Sequence, residues 1–259
     1  MELSFRERML WGAAGIAGLL AIMQLSVMTG LVSSNAMPTA VGMLAAFANL
    51  VVSQTFLAAL LATLVASVLA FLLASVVGIP LGVILGTSRT AEKAVSGLVE
   101  TLRPVPAIAL MPIAILSLGI GLEMKVALAA LASLWPVLIS TIAGVRDTDS
   151  MMVRAGRSFT WSGLKIMRRI QLPAALPFII SGARQSVSLA LVIVVTLELL
   201  GAREGIGDII RQYGAAGRVD YVFAGVLATG LLGLALHAVL GRVERRLMHW
   251  APQYRKASK

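Results

Sequence analysis

Long apolar runs alternate with shorter polar segments along this chain of 259 residues. A helix rises about 1.5 Å per residue, so about 20 apolar residues cross the ~30 Å hydrocarbon core of a bilayer. The pattern therefore predicts an all-α integral membrane protein with about six transmembrane helices, at Leu10 to about Val32, 55–86, Pro104 to about Leu118, about 126–145, about 174–200 and about 221–241.

The composition supports this class of protein. Hydrophobic residues make up 58% of the chain and charged residues 13%, with a mean hydropathy of +0.91. Soluble domains have about 45–50% apolar and about 25% charged residues. The chain contains no cysteine, which excludes disulfides and thiolate metal sites.

The first apolar run has two interpretations. It is long enough to cross a bilayer, whereas the apolar core of a cleaved signal peptide has only about 7–15 residues. We favour a span and keep the signal peptide as the alternative. Residues 33–54 carry no charge and are broken by Pro38, and we expect them at the outer surface, partly as an interfacial helix.

The net charge of +10 has a nucleic-acid interpretation and a topological one. If six spans are drawn, seventeen of the 22 Lys and Arg residues fall on one side, four fall on the other, and Arg184 lies within a span. Cytoplasmic loops carry an excess of Lys and Arg. We therefore predict no nucleic-acid partner, and place both termini and residues 146–173 in the cytoplasm.

Two features inside the spans predict close packing and a pathway. Gly78, Gly82 and Gly86 lie four residues apart, so they share one helix face and allow a neighbouring helix to approach closely, within the core or at a dimer interface. The alternative is that glycine is simply common in membrane helices. Three prolines, Pro104, Pro106 and Pro112, open the third span, and distorted helices in membranes often line cavities.

Charged residues at membrane depth are costly and usually face a cavity or a partner. Arg184 and Glu198 lie on the fifth span, separated by about 21 Å of helix, so they cannot pair with each other. We favour structural roles for each. Glu123 and Lys125 are predicted at the outer rim, after a turn at 119–121.

The longest polar segment, residues 146–177, is predicted to form two short helices. Asp149 or Ser150 can cap the first, and Thr160 or Ser162 the second. Phe159 stands between them, as does Trp161. These aromatic rings are interpreted as anchors in a groove of a partner protein, with a membrane-interface belt as the alternative.

This segment also carries a spaced motif: Arg154-Ala155-Gly156, three residues, Thr160, nine residues, then Ile170, one residue, and Leu172-Pro173. It resembles the cytoplasmic signature loop of the permeases of binding-protein-dependent ABC importers, Glu-Ala-Ala, x3, Gly, x9, Ile-x-Leu-Pro. The family's Glu is Arg154 here, and its Gly is Thr160. Further matching stretches are most similar to the nitrate, sulfonate, taurine and bicarbonate branch: 102–106, 119–121, 135–137, 143–146 and 199–201.

The resemblance implies a type I ABC importer permease fold in a bacterial inner membrane. Residues 55–250 would form the permease domain, 1–54 an N-terminal anchor helix and outer segment, and 251–259 a basic cytoplasmic tail. The implied partners are two ABC ATPase subunits, an extracytoplasmic solute-binding protein, a second permease copy and membrane lipid. The ATPase-coupling residues would be Arg154, Ala155, Gly156, Phe159, Thr160, Trp161 and Leu164, and the translocation pathway would include Pro106, Met111, Val187, Leu191 and Glu198.

No phosphate-binding loop or Gly-x-Ser-x-Gly motif occurs, and His237 and His249 have no acidic neighbours at metal-ligand spacing. We therefore expect no enzymatic activity, metal or cofactor in this chain, with ATP and Mg²⁺ on the partner ATPase. A gradient-driven transporter or channel is the alternative, although no internal repeat is evident; a non-transporting scaffold is a third.

Arg154 allows three interpretations. The resembled motif has a glutamate, a hydrogen-bond acceptor, where this chain has an arginine, which can only donate. A positive charge on the ATPase 4 Å from Arg154 would cost about 4 kcal/mol at an effective dielectric of about 20. The cognate ATPase offers an acid or carbonyls at this point, or a second permease carries the usual motif, or Arg154 points into water.

Overall fold

The computed structural model describes residues 5–248, and the predicted basic tail and His249 lie outside that range. Within it the chain is helical, without strands, and the helices follow in the order α1 (Phe5–Met28), α2 (Ala40–Val51), α3 (Gln54–Thr87), α4 (Arg89–Leu102), α5 (Met111–Leu118), α6 (Leu122–Arg146), α7 (Ser150–Ser158), α8 (Gly163–Ile166), α9 (Leu172–Leu199), α10 (Ile206–Ala215) and α11 (Val219–Leu247). A 3-10 turn, Ala107–Leu110, leads into α5, and a π-helical turn, Met167–Gln171, joins α8 to α9.

The structure gives five or six candidate spans, against the predicted number of about six. Five helical segments are long and apolar enough to cross a membrane: Met9–Met28, Gln54–Thr87, Leu122–Arg146, Gly163–Leu199 and Val219–Leu247. A sixth crossing is formed if Arg89–Leu102 and Ala107–Leu118 are taken together, although these two segments are bent by 79°.

The predicted third span, Pro104 to about Leu118, coincides with the helical segment Ala107–Leu118, which does not qualify as a span by itself. The apolar helix there, Ala107–Leu118, is about 18 Å long, too short to cross a bilayer unaided. The break falls at Pro104 and Pro106, because proline lacks the N–H that would continue a preceding helix. A third proline, Pro112, lies in the first turn of α5, where that N–H is not needed.

Helices α3, α6 and α9 form the central packing unit. A Cβ atom added at Gly82 would lie 2.5 Å from Thr141 Cβ, and one at Gly86 would lie 2.7 Å from Val145 Cβ. The predicted glycine seam is thus confirmed, and it packs α3 against α6 within one protomer. A second contact of this kind joins α6 to α9, where a Cβ at Gly182 would lie 2.7 Å from the carbonyl oxygen of Pro136.

The outer layer consists of α1, α2, α10 and α11. The predicted interfacial helix is α2, but it packs against α11 and buries Met43, Ala46 and Leu50. Helix α1 contacts α2 and leaves its apolar side chains exposed, which suits a surface that faces lipid or another chain.

Candidate functional site

The predicted two-helix loop is present, and two of its four candidate caps are used. The Asp149 carboxylate accepts from the N–H of Met151 at the start of α7. The Ser162 hydroxyl accepts from the N–H of Lys165 at the start of α8. The second helix continues through the π-helical turn into α9, so the loop is attached directly to a membrane-spanning helix.

Gly156 holds the two helices of the loop together. It is the buried residue of α7, and a Cβ atom there would lie 3.2 Å from Ile166 Cγ1 and 3.2 Å from Ile170 Cδ1. The small residue of the motif therefore permits close contact between α7 and the α8–π segment. Ala155, the preceding residue, is exposed.

Thr160 ends α7 in a conformation that glycine adopts more readily, in keeping with the glycine of the motif that this loop resembles. Its φ is +55°, in the left-handed region that is costly for a β-branched residue. The N–H of Trp161 donates to the Gly156 carbonyl at 3.1 Å, and the N–H of Thr160 donates to the Arg157 carbonyl at 2.9 Å. These two bonds define a Schellman cap, in which glycine is the preferred left-handed residue.

The exposed surface of the loop combines apolar and basic side chains. Phe159 is 73% exposed and Leu164 is 56% exposed. Trp161 is partly buried and lies beneath Lys165, whose Nζ is 4.5 Å from the ring centroid. Arg154 is exposed, and its Nη2 donates to the Ser150 hydroxyl at 3.2 Å.

Sequence reasoning missed two members of this surface. Met151 and Met152 are 68% and 58% exposed on α7. The available signal was their apolar character within the first turn of a helix in a polar loop. Methionine is adaptable and common at protein-binding surfaces.

Four of the five predicted pathway residues fall into two groups, and the fifth, Glu198, is described below. Pro106 lines a cleft of about 430 Å³, and Met111 is partly exposed at the start of α5. Val187 and Leu191 are 5% and 6% exposed, so their side chains point into the protomer rather than onto its surface. Their part in the pathway stays a prediction.

The cleft lies between the 3-10 turn, α6 and α9. Its wall includes Arg103, Trp135 and Gln185. A second open cleft, of about 600 Å³, shares Gln185 and continues along α9 to Ser188 and Val192. The exposed positions 181, 185, 188 and 192 recur every three or four residues, so they form one face of α9. Polar Gln185 and Ser188 within an apolar run were the sequence signal for this face.

Glu198 lies in a closed network at the opposite end of the bundle from the loop. It is 0% exposed and forms an ion pair of 3.1 Å with Lys125, which is 2% exposed. Its carboxylate also accepts from the Thr63 hydroxyl at 2.9 Å and from the N–H of Gly207 at 3.1 Å. The network ties α3, α6 and α9 to the start of α10.

Placing Lys125 at the outer rim was therefore wrong. Its ammonium group donates to Glu198 and to the carbonyl oxygens of Arg203, at 3.2 Å, and Glu204, at 2.6 Å. Because all three N–H groups have acceptors, the charge is accommodated inside the protein. Arg184 likewise pairs across helices, with Glu244 of α11. Arg184 and Glu198, the two charged residues predicted within the fifth span, thus both have partners on other helices, in keeping with structural roles.

Among residues 5–248, no group of three or more His, Cys, Asp or Glu side chains is arranged to hold a metal ion.

Known proteins place this architecture in a family. The sequence profile described as "Binding-protein-dependent transport system inner membrane component" matches residues 78–249. SsuC of Escherichia coli K12, named as an aliphatic sulfonates transport permease protein, is 32% identical over 237 residues, 92% of this chain and 90% of that protein. The taurine transport system permease protein TauC of the same organism is 31% identical over 166 residues, 64% of this chain and 60% of that protein.

A chain of the inward-facing MetNI methionine ABC transporter superposes with a TM-score of 0.67 at 20% identity, covering 76% of this chain and 99% of that one. This similarity shows the fold of an ABC importer permease. The matched residues 78–249 include the central helices α6 and α9 and the whole of the motif loop. The chain belongs to the binding-protein-dependent transport system inner membrane components, as a non-enzymatic permease subunit of an ABC importer.

Proposed function

We propose that this permease imports an alkyl sulfonate or a similar small organic anion, received from an extracytoplasmic solute-binding protein. The substrate class is supported by the relatives named for aliphatic sulfonates and taurine. Two ATPase subunits would bind ATP and Mg²⁺ and drive transport, and the loop and both termini would face the cytoplasm.

The observation that carries the proposal is the exposed two-helix loop. Apolar side chains such as Phe159, Met151 and Leu164 are exposed on a segment that is otherwise polar and capped at both helices. Contiguous exposed apolar groups rimmed by polar ones are typical of protein-binding surfaces. The direct continuation of the loop into α9 gives a rigid path from an ATPase to the membrane helices.

We assign the translocation surface to the open side of α6 and α9. The two clefts there share Gln185 and leave one side of the bundle uncovered, so a second permease copy would close the passage. The Gln185 amide offers hydrogen-bond donors to an anion, and Arg103 lines the same cleft. Val187 and Leu191 would form the buried wall behind this surface.

The test is transport by the complete system reconstituted in liposomes. Wild-type complexes are expected to take up taurine or an alkanesulfonate and to hydrolyse ATP faster when substrate and binding protein are present. Phe159→Ala removes a large exposed anchor and should weaken ATPase association by about 30-fold or more, the size typical of a binding hot spot. Uptake of neither sulfonate nor other small anions by an active complex would contradict the substrate proposal.

Arg154 is tested in the same assay by reversing its charge. If the cognate ATPase presents an acid or carbonyls, Arg154→Glu strongly reduces substrate-stimulated ATP hydrolysis and Arg154→Ala reduces it less. The matched control is Arg168→Glu, which makes the same charge change at another exposed position of the loop. Unchanged hydrolysis in Arg154→Glu would mean that this side chain is exposed to solvent and makes no contact with the ATPase.

A further inference from the structure

A strongly basic cleft lies beside the loop, where α3, α4, α6 and α7 meet. It has a volume of about 630 Å³ and is lined by five basic side chains against a single carboxylate, that of Glu92: Arg89, Lys93, Arg146, Arg154 and Arg157. Arg146 is already neutralised, because it pairs with Glu92 and donates to the Leu85 carbonyl at 3.3 Å. The lining of the cleft holds no other carboxylate, so its positive charge exceeds its negative charge by four.

Helix α4, which forms one wall, has no buried residue. Ala91, Ala94, Val95, Leu98 and Leu102 recur at helical spacing, and Leu98 and Leu102 are 59% and 44% exposed. The basic residues Arg89 and Lys93 lie at the start of the helix, beside the cleft. An amphipathic helix with a basic end and an uncovered apolar face is typical of helices that lie in a membrane interface.

The geometry of the neighbouring helices supports that orientation. The segment that follows, Ala107–Leu118, is bent by 79° from α4, and both its 3-10 turn and α5 contact the spanning helix α6. We take this segment to run along α6 into the bilayer, so the bend sets α4 nearly along the membrane surface and outside any crossing. The floor of the cleft, at Gly86 and Thr87, is the end of the spanning helix α3, which places the cations at the level of lipid phosphates.

We propose that this cleft binds the phosphodiester headgroup of an anionic lipid, whose acyl chains lie along the apolar face of α4. The phosphate oxygens would accept hydrogen bonds from Arg89, Lys93 and Arg157, groups that donate well to phosphate. This proposal rests on the proposed import function only for the orientation of the permease, which makes the cytoplasmic leaflet the source of the lipid. The apolar face of α4 favours a lipid over a soluble phosphate or an acidic protein surface.

Lipid binding is measured on the full-length permease in detergent, without ATPase, from the rise in thermal unfolding temperature as phosphatidylglycerol is added. A basic residue near an anionic surface strengthens binding about five-fold, so Arg89→Gln/Lys93→Gln should weaken it about 30-fold. The matched control, Arg168→Gln/Arg169→Gln, removes the same charge from exposed positions outside the cleft and should bind like wild type. The conservative Arg89→Lys/Lys93→Arg should retain binding, which shows that the site tolerates substitution.

Three results would overturn the proposal. Equal weakening in the cleft variant and its control would mean that only net charge matters. An equal stabilisation by phosphatidylcholine, or by glycerol phosphate at the same concentration, would remove the requirement for an anionic lipid. If Arg89→Gln/Lys93→Gln left lipid affinity unchanged but impaired assembly with the ATPase in a separate measurement, the cleft would be a protein-binding surface. None of these measurements involves transport, so failure of the import proposal would leave them interpretable.

Discussion

The buried Lys125–Glu198 pair gives the sharpest prediction for this structure. Substituting Glu198→Gln keeps the shape of the side chain and one acceptor oxygen for Thr63 or Gly207. It removes the negative charge 3.1 Å from an ammonium group that is 2% exposed. Lys125 is then left as a buried charge held only by two backbone carbonyls.

The expected cost follows from this geometry. Removing one partner of a buried ion pair typically costs about 3–5 kcal/mol, because the remaining charge loses its partner without regaining water. For a chain of this size, each kcal/mol corresponds to about 2–4 °C in Tm. Glu198→Gln should therefore lower the Tm of the detergent-solubilised permease by roughly 10 °C. Lys125→Met should do the same, because it leaves the carboxylate unpaired.

The double variant Lys125→Met/Glu198→Gln separates the ion pair from the rest of the network. Both charges are gone, so the loss should be smaller than the sum of the single losses by about 1–3 kcal/mol. The matched control is Asp220→Asn, which breaks an ion pair of 3.4 Å with Arg218 whose side chains are 35% and 52% exposed. An exposed pair contributes about 0–1 kcal/mol. The reasoning would be refuted if Glu198→Gln lowered the free energy of unfolding no more than Asp220→Asn does. It would also be refuted if the losses of the two single variants simply added in the double variant.

Three further predictions follow from the same structure. Gly82→Ala places a Cβ 2.5 Å from Thr141 Cβ and should destabilise the permease by about 1–3 kcal/mol in unfolding experiments. The control Gly97→Ala meets no neighbour within 4 Å and should be neutral or slightly stabilising. Equal effects of the two substitutions would contradict the packed glycine seam. Thr160→Gly relieves a left-handed φ of +55° and should stabilise the loop by about 1 kcal/mol, seen as slower proteolysis of residues 146–177, and faster proteolysis would count against the Schellman cap. Cysteines placed at Ser162 and Ser258 should resist membrane-impermeant reagents in intact cells, and efficient labelling of either would overturn the proposed orientation.

Much of the fold could be predicted from local properties of the sequence. The apolar runs predicted the number of spans because a membrane helix must satisfy its own backbone groups and cover them with apolar side chains. The glycine spacing of α3 predicted a close helix contact for a similarly local reason, since residues four apart share a face. The caps of the loop were predictable because Asp149 and Ser162 bond to the backbone of the next turn.

Other features depended on contacts between residues far apart in the chain. The spacing of one helical turn indicated that Val187 and Leu191 share a face of α9, but it did not show what that face contacts. Which face is covered depends on where α3, α6 and α11 pack, and the structure leaves Ser188 and Val192 exposed instead.

The motif loop shows the same division. Its spacing was enough to indicate the family, but it did not show why glycine is usual where Thr160 stands; the positive φ at the end of α7 supplies that reason. The sequence determined the helical membrane class, the spans and the loop, because those depend on local polarity and spacing. Only the tertiary structure decided that Lys125 lies inside and pairs with Glu198, because a charge can be buried only where distant segments supply its partners.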